Sequence, residues 1–182
     1  MPGLPAAASS NPEEDAVALG GIRLADAVAR RERLVRVRIA MSTPDEFAHF
    51  ISAQNPIYGR VLEELRQGDK RSHWMWFIFP QLKGLGRSET ARRYALDSLE
   101  QAERYLQHPE LGPRLRECTE TVMQAPEHKS AEQIFGDPDY LKFRSSMTLF
   151  DQCEPNGTFR QALDRFYDSQ PDLRTLELIG RV

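Results

Sequence analysis

What most constrains this chain is its punctuation. From Pro44 onward, short apolar stripes at helical spacing alternate with prolines, glycines and capping hydroxyls, and no apolar–polar alternation runs long enough for a strand. Thr43-Pro44-Asp45-Glu46 joins a capping hydroxyl, a proline suited to the first helical position and a glutamate three residues on. Phe47, Phe50 and Ile51 follow at helical spacing. Pro56 opens a second helix with the stripe Ile57, Val61, Leu62 and Leu65, and Gly68 stops it. Ser88 is expected to cap the longest helix, Glu89 to Gln107, with Tyr94, Ala95, Leu99, Ala102 and Leu106 inward and His108-Pro109 at its end. Leu111, Leu115, Cys118 and Val122 mark another helix, expected to start at Pro113. Ser130 and Gln133 form a second capping box ahead of a turn at Gly136, and Asp137-Pro138 opens the next helix. Phe159, Ala162, Leu163 and Phe166 form a stripe after Pro155-Asn156-Gly157, and Pro171 precedes a last short helix through Ile179. The expected fold is all-α: a single compact multi-helix domain with a flexible N-terminal extension.

The extension is expected over residues 1–40 and the helical domain over 41–182. Met1 to Glu14 are rich in Pro, Ala and Ser, too poor in apolar surface to repay ordering. Arg30 to Arg38 is an arginine-rich strip, readable as a nucleic-acid tail or as a solvated helix or non-native leader. The second reading is preferred because a clean domain start follows Met41 at once. The whole chain, at 182 residues with 40% hydrophobic and 28% charged, suits one globular domain that needs no staples. A formal net charge of -3 gives no global attraction for nucleic acid or anionic membrane. Cys118 and Cys153 stand far apart, which reads as reduced thiols rather than a disulfide framework. The longest apolar run, Trp74 to Phe79, is too short to span a bilayer, and arginines interrupt any signal pattern near the N-terminus. Cytoplasm is the expected compartment. Oligomeric state is not legible.

Two segments depart from ordinary amphipathic helices. The first runs from Lys70 and Arg71 through His73, Trp74 and Trp76 to Gln81, followed by Gly84, Gly86 and Ser88. Aromatic faces stack on planar ligands, and adjacent cations hold phosphates. Gly84 and Gly86 ahead of a capped helix would let backbone N–H groups approach an anion. The alternative is a buried central helix, which is favoured for Met75, Phe77 and Ile78 and evenly balanced for His73, Trp74, Trp76 and Gln81. The second segment, Asp139 to Phe150, sets Lys142, Ser145 and Ser146 within a helical turn beside Arg144, with Asp139 and Lys142 three apart. Such a group suits a phosphate, ribose or carboxylate; equally, small serines permit close packing and Asp139–Lys142 makes a solvated ion pair. The four histidines, His49, His73, His108 and His128, lack zinc spacing, so no metal is expected, and no motif calls for a cofactor.

On these words the chain resembles a bacterial family known as domain of unknown function 1810. The matching stretches are Lys70 to Gln81, Gly84 to Ser88, Tyr105 to Leu115, Ile134 to Gly136 and Arg144 to Phe150, and the resemblance spans roughly Pro44 to Gly180. It implies a compact helical domain without a settled activity. Some members carry a calpastatin-like label, which nothing in this sequence supports. A fainter similarity is to the NADAR family of N-glycosidases, which act on ADP-ribosylated or related nucleotide-derived substrates. Its motif has a glutamate before a His-aromatic run and a later His-Pro-x-Leu. His73-Trp74 and His108-Pro109-Glu110-Leu111 are similar to those words, but Ser72 stands at the glutamate's place. That departure removes an obvious carboxylate, which Asp139 from another helix would have to replace.

The expectation is therefore a pocket for an NAD- or nucleotide-derived ligand, in the extreme case an ADP-ribose-related N-glycosidase with Asp139 and His73 as catalytic groups. The aromatics would take the base, Arg71 and Lys142 the phosphates, and Asp139 the ribose. The alternative is a non-catalytic helical module that binds a protein or nucleic-acid end.

Overall fold

Capping chemistry sets the helix ends in the computed structural model, which describes residues 45–181. The expected Thr43-Pro44 start, the boundary at Met41 and the Arg30–Arg38 strip lie outside the described residues. Ten helices follow, and no strand occurs among the described residues. They are α1 (Ala48–Gln54), α2 (Tyr58–Gln67), α3 (Met75–Ile78), α4 (Glu89–Arg93), α5 (Leu99–Gln107), α6 (Leu111–Met123), α7 (Ala131–Phe135), α8 (Asp139–Cys153), α9 (Thr158–Tyr167) and α10 (Leu173–Leu178). The Ser130 hydroxyl and Gln133 side chain satisfy each other's backbone N–H, which completes the expected capping box of α7. Asp172 caps α10 by accepting from the Thr175 N–H.

The expected long helix from Glu89 to Gln107 is two helices. α4 ends at Arg93 in a turn at Tyr94, and Leu96 follows as a bridge residue before Ser98 caps α5 by accepting from the Gln101 N–H. The cause is long-range. Leu96 is fully buried, and it forms an isolated parallel bridge with Leu82: the Leu96 N–H donates to Gln81 O, and the Lys83 N–H donates to Leu96 O, both at 2.9 Å. Tyr94 and Ala95, expected inward on a continuous helix, are only half-buried, while Leu96 and Tyr105 take the core positions. A second shift is smaller. α6 starts at Leu111 rather than Pro113, because His108 Nδ1 accepts from the N–H groups of Glu110 (3.1 Å) and Leu111 (3.3 Å).

α8 is the centre of the body. Helices α3, α5, α7, α9 and α10 all pack on it, and it is buried nearly all round from Phe143 to Asp151, so no single apolar stripe is needed. Phe79, Phe135 and Phe143 meet at ring distances of 4.7–6.0 Å at its N-terminal half. This fixes the Trp74–Gln81 segment against α8. No helix among the described residues is long and apolar enough to cross a membrane.

Candidate functional site

The loop entering α3 is organised by a residue on the preceding helix. Glu64, on α2, is 7% exposed. Its Oε2 accepts from Trp74 Nε1 (2.8 Å), the Arg71 N–H (3.0 Å) and the Ser72 N–H (3.2 Å), and its Oε1 accepts from the Ser72 hydroxyl (2.5 Å). Burial alone would raise this carboxyl, but the four donors outweigh it and bring it down to about 2. Ser72 is thus a donor to a carboxylate from the preceding helix.

The two motif segments meet at Asp139, at the start of α8. Lys70 Nζ lies 2.7 Å from Asp139 Oδ2, and Lys142 Nζ lies 2.5 Å from Oδ1. Each ammonium also sits by an indole: Lys70 is 5.1 Å from the Trp74 ring centre and Lys142 4.6 Å from that of Trp76. Burial pushes the Asp139 carboxyl up, but the Lys142 and Lys70 ammoniums prevail and hold it below its ordinary value. The Asp139–Lys142 pair, for which a solvated position was one reading, is part of a mostly buried triad.

Beside this triad a cleft of about 510 Å³ opens between the 81–88 segment and α8. It brings together six of the sequence candidates: Trp76, Gln81, Gly86, Ser88, Lys142 and Ser145. It also recruits Leu85, Arg87, Leu141 and Asp172, which the sequence did not single out. The Arg87 guanidinium and the Gln81 side-chain amide make no hydrogen bond or ion pair among the described residues. Trp76 is half-buried at the wall.

The other candidates are placed differently. Trp74 is fully buried and its indole N–H is spent on Glu64, so it is not a stacking platform. Ser146 is fully buried, and its hydroxyl has no partner among the described residues. Arg71 is exposed, donating to Asp69 and Gln67 rather than facing the cleft. Arg144 donates to the Gln170 and Pro171 carbonyls. His73 is exposed and makes no side-chain hydrogen bond, ion pair or ring contact among the described residues. Gly84 lies in a neighbouring hollow of about 620 Å³ between residues 82–84, 97–100 and 178–181, where the Lys83 and Asp97 charges pair at 2.8 Å.

Gly86 has a packing role. A Cβ there would lie 2.4 Å from Ala91 Cβ, so the loop can approach α4 only without a side chain. α4 has five residues, too short to offer the anion-binding N-terminus expected of a long helix. We expect Gly86→Ala to cost roughly 1–3 kcal/mol by overpacking. Adding Ala91→Gly should recover most of that loss in urea unfolding, and additive losses would rule the contact out.

The chain matches the family profile "Protein of unknown function (DUF1810)" over residues 44–179 and belongs to that family. It is similar, at 51% identity and a TM-score of 0.73, to the crystal structure of the conserved hypothetical protein Rv1873 from Mycobacterium tuberculosis. That likeness covers 76% of this chain and 99% of the other. A search of curated proteins finds no match.

Proposed function

We propose that the cleft between the 81–88 segment and α8 binds a small ligand carrying a planar ring and an anionic group, as nucleotide-derived metabolites do. The observation that supports it is the convergence of a half-buried tryptophan, Trp76, and an uncommitted arginine, Arg87, on the same cleft. Rings stack on indoles, and guanidinium groups fork onto phosphates. The volume falls within the range of ~300–1,000 Å³ that small-molecule sites occupy.

Hydrolysis of an N-glycosidic bond asks for more: a carboxylate beside the sugar to stabilise oxocarbenium-like charge. Asp139 has both oxygens engaged by ammonium groups, and neither it nor His73 lines the cleft. The proposal is therefore binding, without that pair as catalysts. The rival reading, a module that docks a protein, draws on Leu141, which is 44% exposed at the same cleft.

Trp74 is sealed in the core, so nucleotide-induced quenching of tryptophan emission should report Trp76. Titration with AMP and ADP-ribose should quench the wild-type chain, and Arg87→Ala should weaken binding roughly ten- to a hundredfold, the loss of a charge-assisted contact. The thermal midpoint should barely move, because Arg87 is exposed and holds nothing in place. Absence of quenching by either compound at millimolar concentration would sink this reading and leave protein docking.

A further inference from the structure

We infer that Asp172 reads the sugar hydroxyls of the ligand, so that the cleft selects a ribosyl compound with a free diol; this rests on the small-ligand reading above. The starting point is how firmly residues 170–172 are held. Arg144 donates to Gln170 O at 2.9 Å and to Pro171 O at 3.1 Å. The Asp172 N–H donates to Thr148 Oγ1 at 2.8 Å. The Asp172 carboxylate is held on one side only: Oδ2 accepts from Ser145 Oγ (2.9 Å), the Thr175 N–H (3.1 Å) and Thr175 Oγ1 (2.5 Å). Oδ1 has no partner among the described residues and is not a buried atom, although Asp172 lines the cleft.

Three donors on one oxygen fix the rotation of a carboxylate, and the other oxygen becomes an acceptor of set direction. An anion cannot settle against it, so the phosphate belongs elsewhere, with Arg87. What Oδ1 takes is a donor. Ser145 lines the same wall, and its hydroxyl, also within 3.1 Å of Leu141 O, spends its only proton inside the protein. Toward any further partner it can therefore act only as an acceptor, and it is bonded to the same carboxylate that carries Oδ1. Two neighbouring acceptors suit two neighbouring hydroxyls, and a carboxylate on ribose hydroxyls is a recurrent solution to sugar recognition. Arg144, Ser145 and Thr148 are all motif residues; on this account they hold the reading group rather than touch the ligand.

The experiment compares AMP, 2′,3′-dideoxy-AMP and ribose 5-phosphate on the full chain by calorimetry. The wild type should bind AMP roughly tenfold or more tighter than the dideoxy compound, the loss of charge-assisted hydrogen bonds. Asp172→Asn keeps an acceptor for the α10 cap, and it should bring AMP down to the dideoxy level while leaving the dideoxy affinity unchanged. Equal wild-type affinities for AMP and its dideoxy analogue would overturn the inference without any variant, and the ring-and-anion reading would survive. Asp172→Asn weakening both compounds alike would overturn it too. Ribose 5-phosphate binding that vanishes in Asp172→Asn, with no gain from adenine, would keep the hydroxyl reader and remove ring stacking. Failure of all three compounds to bind would overturn both readings.

Discussion

Asp139→Ala is expected to destabilise the protein by roughly 3–5 kcal/mol, the usual cost of stranding a buried ionic partner. Here two partners are stranded. The Lys70 side chain is only 7% exposed, and that of Lys142 is 21% exposed. Removing Lys142 instead leaves Asp139 paired with Lys70, so Lys142→Ala should cost only about 1 kcal/mol, close to a partly exposed pair. The asymmetry is the signature. It can be read from urea unfolding curves of the two variants at neutral pH. The Asp139 carboxyl is depressed in the folded protein, so its contribution is fully present above the unfolded carboxylate value and is lost as pH falls through the folded one. Losses below about 1 kcal/mol in both variants would show that water already satisfies the triad.

Glu64→Ala should be comparably severe, roughly 3–5 kcal/mol, since each buried donor left without an acceptor costs about 1–3 kcal/mol and such losses are less than additive. Trp74 Nε1 is the donor with no route to solvent. Glu64→Gln keeps one acceptor oxygen and should fall between the variant and the wild type. The carboxyl moves from its ordinary 4.5 to about 2 on folding, which by linkage corresponds to roughly 3 kcal/mol at neutral pH. A depressed carboxyl stabilises above its unfolded value, so the loss should set in below about pH 4.5 and run its course near pH 2. In Glu64→Gln the acid limb between those values should flatten. An unchanged acid limb would show that other carboxylates carry it.

The helical architecture was legible because it is written in local chemistry. Ser130 and Gln133 sit three apart whatever surrounds them, and the Val61, Leu62 and Leu65 face is the same in an isolated helix as in the fold. The break between Arg93 and Leu99 was not, because its cause is Leu82, far away in sequence; Ser98 as a cap was the only nearby hint. The site divides along the same line. Trp76, Lys142 and Ser145 stood out by residue type and proximity to other unusual residues. Glu64 did not, since Glu63 and Glu64 are chemically identical and only packing decides which one is buried. Asp172 was hidden behind Pro171, where it reads as an ordinary helix cap, and the cap it makes is real. Trp74 misled for the opposite reason: beside Trp76 it resembles half of an aromatic pair, yet the helical turn sends it into the core.

The clamp on residues 170–172 also sets a time at which the cleft can exist. Trp76 and Asp172 face the same space but stand nearly a hundred residues apart in the sequence. During synthesis the aromatic wall and the Lys70–Asp139–Lys142 triad can form as soon as α8 has emerged. The Asp172 carboxylate, the last of the lining to be made, must wait until translation has passed it. Until then Arg144, Ser145 and Thr148 lack their partners in residues 170–172, and the cleft has its α8 wall but not the Asp172 carboxylate. The complete cleft is thus withheld from partly made protein by topology alone, with no separate device to delay it.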